Sequence, residues 1–228
     1  MPRGSSHRED TTENTYIDPG AVTGEAYEIS CKSRTLARSI VGNSGAEDRI
    51  RQRCSVAVGD FAMAGLLRFN NDPVNAGIEA LEKKAPIYTD IRMVQAGILK
   101  KLHDSEIRCV LDFGGELAAE RDITRTSAGF ISLGNKIEGS IVVIGNAPSS
   151  LLTVCDMISR GIRPALVIGH PVGFVNAAES KEILRSIDVP SVSTEGTRGG
   201  TPVAVASINE IIVMYHEACN GKRPCDGL

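Results

Sequence analysis

The sequence predicts an α/β fold: a three-layer sandwich in which a mostly parallel, roughly five-stranded sheet is flanked by helices. Three features lead there. Short β-branched runs at 140–144 and 165–168 lack polar alternation, as strands buried on both faces require. Each run is followed by a glycine-rich break and then by a stretch with helical apolar spacing. Two such units in succession imply right-handed crossovers, which bring their loops to one carboxyl edge of the sheet.

Taken in order, Tyr16-Ile17-Asp18-Pro19 opens the folded chain, and Pro19 suits the first turn of a helix reaching about Ser39. Gly42 to Gly45 break it. Ala46–Val58 forms a second helix with Ile50 and Cys54 on its apolar side, closed by Gly59-Asp60. Asn71-Asp72-Pro73 caps a helix over 74–84. Residues 85–90 read as a strand, 91–99 as a short helix, 108–113 as another strand and 116–133 as a long helix. The strand 140–144 leads into a helix over 151–160, with Ser149 and Ser150 as its caps. The strand 165–168 leads to a helix holding 177–181, and the strand 190–194 to a closing helix over 203–217. Residues 16–220 are expected to form one domain, with 1–15 a disordered or vector-derived tail and 221–228 a loose C-terminal tail.

Composition excludes several classes of function. A chain of 228 residues with 42% hydrophobic content can bury one sizeable core. Its net charge of −3 argues against a nucleic-acid binder, which would carry a basic stripe. No apolar run approaches the ~20 residues that span a bilayer, and the charged start resembles no signal peptide, so a cytoplasmic protein is expected. The six cysteines form no C-x-x-C pair and no zinc spacing, so neither a disulfide framework nor a metal site is expected.

Three loops could bind a ligand. Gly145-Asn146-Ala147-Pro148, the segment His170-Pro171-Val172-Gly173-Phe174, and Arg198-Gly199-Gly200-Thr201 each precede a helix. Backbone N–H groups at such helix starts favour anions, and Arg198 and Thr201 add donors suited to carboxylates. Neither a G-x-G-x-x-G after the first strand nor a G-x-x-x-x-G-K-[ST] is present, which removes the usual nucleotide motifs. Ser149 and Ser150 lack a G-x-S-x-G elbow and read as caps rather than nucleophiles. His170 is the only histidine within these loops.

Together, Val143-Ile-Gly-Asn-Ala-Pro-Ser149, then Gly169-x-Pro-Val-Gly-Phe-Val-x-Ala-Ala-Glu-Ser-Lys181, then Arg198-Gly-Gly-Thr201 resemble the precorrin-8X methylmutase family. Weaker likenesses lie at Tyr16-Ile-Asp-Pro19, Gly77-Ile-Glu-Ala-Leu81, Ala85-Pro-Ile-x-x-Asp90 and Thr124-Arg125, so the resemblance runs from about Tyr16 to Met214. It implies an isomerase of cobalamin biosynthesis that moves a methyl group between adjacent carbons of a tetrapyrrole. The product would be hydrogenobyrinate, or cobyrinate from the cobalt form. It also implies no cofactor, and a homodimer with the site at its interface. Arg125, Asp90, Arg198 and the three loops are then the substrate-binding candidates.

The chain departs from that family at its general acid. The histidine of the family's His-Ala-x-Gly-Asp falls at Val56 in Val56-Ala57-Val58-Gly59-Asp60, and valine carries no proton. Two further polar positions of the family fall at Ala26 and Leu99. Two readings follow: a working mutase whose acid is supplied elsewhere, or a non-catalytic paralogue that still binds a corrinoid. In the first, His170 takes over as proton donor, its ordinary pKa near 6.5 suiting the role, with Asp90 or a water as substitutes.

Overall fold

A computed structural model of the chain describes residues 23–220. The Tyr16-Ile-Asp-Pro19 start and both tails lie outside the described residues.

The first helix, α1 (Gly24–Val41), is capped by Thr23, whose Oγ1 accepts the Ala26 N–H at 3.2 Å. Helix α2 (Ala46–Val58) ends where Gly59 turns left-handed at φ 65°. A short α3 (Ala62–Leu66) runs directly into β1 (Leu67–Asn70). There follow α4 (Pro73–Glu82), β2 (Ile87–Thr89), α5 (Arg92–Gly97) and β3 (Ile107–Cys109). Next come α6 (Gly115–Glu120), α7 (Arg125–Leu133), β4 (Ile141–Ile144) and α8 (Pro148–Ser159). The chain closes with β5 (Leu166–Gly169), α9 (Ala177–Ser186), β6 (Ser191–Thr194) and α10 (Thr201–Asn220).

The sheet has six strands in the order β1-β6-β5-β4-β2-β3. The five expected strands are parallel, and β1 adds an antiparallel edge against β6, with Leu67 opposite Thr194. Three other expectations change. Strand 108–113 stops at Cys109 because Val110–Asp112 coils into a 3-10 turn. The helix over 116–133 is two helices, since Thr124 Oγ1 accepts the Ser127 N–H and caps a new start. Ser149 and Ser150 cap nothing: Pro148 opens α8 with Ala147 before it, so both serines lie inside the first turn.

Alternation along each strand divides the core. Ile141 and Val143 join Ile50, Leu81, Leu166 and Ile211 on the face covered by α2, α4 and α10. Val142 and Ile144 join Phe130, Leu151, Val154 and Leu184 under α7, α8 and α9. Each fully buried aliphatic side chain contributes about 1.5–3 kcal/mol relative to exposure. Among the described residues, no helix is long and apolar enough to cross a membrane.

Candidate active site

At the carboxyl edge, parallel register sets Thr89 beside Val143 and Ile144 beside Gly169, so Asp90, Gly145 and His170 emerge as neighbours. Asp90 is completely buried. Its Oδ1 accepts the Gly145 N–H at 3.1 Å, and its Oδ2 accepts those of Asn146 and Ala147 at 2.8 and 2.9 Å. Burial pushes its carboxyl above the usual carboxylate range despite these bonds. The N–H groups that sequence reading offered to a substrate anion are therefore already filled by a side chain of the protein. Gly145 is equally enclosed: a Cβ there would lie 2.7 Å from Val94 and 3.0 Å from the Thr201 backbone.

His170 is likewise inside. Its N–H donates to Ile144 O at 2.8 Å, and its carbonyl accepts the Gly200 N–H at 2.7 Å. Gly199 passes so close that a Cβ would meet the His170 carbonyl at 2.5 Å. Nε2 lies 3.1 Å from Ser207 Oγ, whose hydroxyl donates to Val203 O, so the imidazole donates there as the Nε2–H tautomer. Burial, with the Lys181 charge second, pulls its pKa down to about 3. Protonating Nδ1 would leave an unpartnered N–H in the core. The ring thus lies enclosed and ties β5 to α10.

The exposed parts of the loops lie beyond these anchors. Gly173 donates to Thr197 O at 3.2 Å, bringing the 171–175 segment against the 196–200 loop. Val172, Phe174 and Val175 stand out from it, Phe174 being 95% exposed. Pro171 is buried beneath them. Arg198 pairs with Asp60, just past the end of α2. Arg125 is exposed on the first turn of α7, and the Thr124 and Ser149 hydroxyls, 2.9 Å apart, tie that turn to the start of α8. Arg125 therefore stands in the layer of α7, α8 and α9, opposite that of α2 and α10.

A cleft of about 270 Å³ opens between α1, α2 and the start of α10. Val56 lines it, 42% exposed, together with Ala57, Pro202 and Val205. Arg34, Arg53, Ser30 and Asn209 bring polar atoms to the same space. Sequence reading placed Val56 here but missed the arginines. Their anchor is Glu210, wholly buried, which accepts from Arg34 at 2.8 Å, Arg49 at 2.8 Å and Arg53 at 3.1 Å. Burial alone would raise the Glu210 pKa, but the fields of Arg34, Arg53 and Arg49 outweigh it and hold the carboxylate below its ordinary range. The signal for this cluster was the i, i+4 pair Arg49/Arg53 and one acid inside the apolar run Ile208–Met214. Ala26 precedes Ser30 by one turn on the same face of α1, and the Leu99 N–H donates to Asn209 Oδ1 at 2.9 Å. Of these three positions Val56 lines the cleft, whereas Ala26 and Leu99 lie beside residues that do.

The family described as precorrin-8X methylmutase matches residues 28–214. The cobalt-precorrin-8 methylmutase of Methanocaldococcus jannaschii is 39% identical over 205 residues, which cover 85% of this chain and 96% of that protein. The crystal structure of a precorrin-8X methylmutase from Thermus thermophilus superposes with a TM-score of 0.77 at 33% identity, covering 84% of this chain and 97% of that one. A solved structure titled "precorrin-8X methylmutase related protein" gives 0.71 at 33% identity, covering 79% and 98%. A family match over most of the chain, with relatives up to 41% identical across nearly their whole length, makes this protein a member of the precorrin-8X methylmutase family.

Proposed function

We propose that the chain is an isomerase of corrin biosynthesis. It would bind precorrin-8X or its cobalt form and shift one methyl group to the adjacent ring carbon, giving hydrogenobyrinate or cobyrinate. The observation that carries this is the Val56 cleft: an apolar wall of Val56, Ala57, Pro202 and Val205 beside the guanidinium groups of Arg34 and Arg53. That combination suits a flat apolar macrocycle rimmed by carboxylates, to which arginine offers paired donors. One carbon–carbon bond breaks and another forms within a single molecule, so no co-substrate is consumed. Protonating a ring nitrogen favours the shift. Among the described residues no histidine or carboxylate lines the cleft, and on this reading the proton comes from solvent while the cleft fixes the ring. Arg198 holds a peripheral carboxylate. A homodimer in the cytoplasm is part of this reading, because Val172, Phe174 and Val175 form an exposed apolar group beside the loops.

One observation favours a second reading, a corrinoid-binding paralogue without turnover. Val56 occupies the family's acid position, and His170 is neutral and enclosed. The test adds precorrin-8X and hydrogenobyrinate separately and follows absorbance. The mutase reading expects a saturable spectral shift and conversion of precorrin-8X. A shift without conversion selects the paralogue, and no shift with either compound rejects both.

A further inference from the structure

Lys181 closes the longest motif in the sequence, yet neither reading uses it. It lies on the second turn of α9 and is completely buried. Its Nζ donates to the Arg198 carbonyl at 2.7 Å and to Thr194 Oγ1 at 3.1 Å. The Thr194 hydroxyl in turn donates to the same Arg198 carbonyl at 2.7 Å. One turn further on, Arg185 donates to Ser193 Oγ and Thr194 O, both at 3.2 Å. Helix α9 therefore grips the end of β6 and the loop after it, and the Arg198 guanidinium projects from that grip toward Asp60 and the cleft side of the molecule.

The charge on Lys181 has no carboxylate within ion-pair distance among the described residues. The charged and titratable groups around it are Arg185 on its own helix, neutral His170 at the end of β5, Arg198 paired with Asp60, and Glu195 paired with Arg68. A buried ammonium without a counter-ion is costly, and an apolar side chain would fill the same space more cheaply. What the ammonium adds is charge-assisted donation to one loop carbonyl.

We propose that Lys181 is a positioning residue: its buried ammonium clamps the Arg198 backbone and so sets the arginine that reads a carboxylate of the tetrapyrrole. The ligand half of this statement rests on the function proposed above; the clamp itself does not. Burial, helped by Arg185, brings the Lys181 pKa down to about 8. Its proton leaves the folded protein as pH rises past that value while the unfolded chain keeps it. Stability therefore rises with pH above about 8, whereas a clamp that depends on charge weakens.

Two measurements test this. Trypsin cleavage after Arg198 in the ligand-free protein reads the clamp directly. Lys181→Met is expected to be cut about tenfold faster than wild type at pH 7, and wild type itself faster relative to Lys181→Met as pH passes 8. Hydrogenobyrinate titrations read the consequence. Wild-type affinity should fall about three- to tenfold between pH 7 and 9.5, Lys181→Met should be weak and flat across that range, and adding Arg198→Ala to it should cost little more. Unchanged cleavage in Lys181→Met overturns the proposal whatever the ligand does, as does an affinity loss that adds fully to that of Arg198→Ala. If Lys181→Met fails to fold, the wild-type cleavage profile decides alone: a rate ratio to a tryptic reference peptide that stays flat through pH 8 refutes the clamp. Loss of wild-type hydrogenobyrinate binding at every pH, with the cleavage pattern intact, refutes only the functional reading.

Discussion

Asp90 Oδ2 accepts the Ala147 N–H at 2.9 Å, so α8 opens on a carboxylate that belongs to the protein. Asn at this position has one acceptor oxygen and turns an amide N–H toward donors. Asp90→Asn should cost about 1–3 kcal/mol in urea unfolding. Burial raises the Asp90 pKa in the folded state, so wild type gains stability from this group as pH falls. The deficit of Asp90→Asn should therefore widen on acidification, and a constant deficit would count against the assignment.

Glu210 has the opposite sign. Its folded pKa is held below the ordinary value, so its contribution is present above the unfolded carboxylate pKa and disappears as pH falls through the folded one. Glu210→Gln leaves three guanidinium groups facing a neutral amide. The expected loss is about 3–5 kcal/mol at pH 7, with a shallower acid limb in the stability profile.

Val56→His tests the position at which the family resemblance implies an acid. Because Val56 is 42% exposed in the cleft, an imidazole fits there without overpacking. A correctly placed acid commonly contributes about 10²–10⁴-fold, so conversion of precorrin-8X, followed by chromatography, should rise within that range. His170→Gln in the same background should leave the gain intact, since His170 is enclosed against α10 and is not among the residues lining the cleft.

The proposed dimer predicts twice the monomer mass by light scattering at micromolar concentration. Phe174→Asp, at a side chain 95% exposed in this chain, should shift it to monomer while leaving the circular dichroism of the folded state unchanged. A wild-type monomer at that concentration contradicts the assembly.

Much of the fold was legible because its punctuation is local. Gly45 and Gly59 bracket α2, and the expected limits Ala46–Val58 match the structure. β1 was not legible: it is four residues long, carries Arg68 and Asn70, and its partner is β6, far along the chain. Hydrophobic periodicity cannot report a pairing made at that distance. The site divided in the same way. Val56 came from its place in a motif, whereas Arg34 meets Glu210 across 176 residues of sequence. A glycine-rich loop suggests an exposed His170, and the structure buries it. β5 continues through Gly169, and that carries the ring beneath α10.

The walls of the cleft come from opposite ends of the chain, α1 and α2 on one side and α10 on the other. Contacts so distant in sequence close late, because the loop-closure entropy must be met before they stabilise anything. A chain emerging from the ribosome can assemble β2, β3 and β4 while the cleft does not yet exist. Glu210 arrives last, and until it does Arg34, Arg49 and Arg53 repel one another across an open face. A ligand of the cleft therefore has nothing to grip before α10 has been made, so it can stabilise the folded protein but cannot template its early folding.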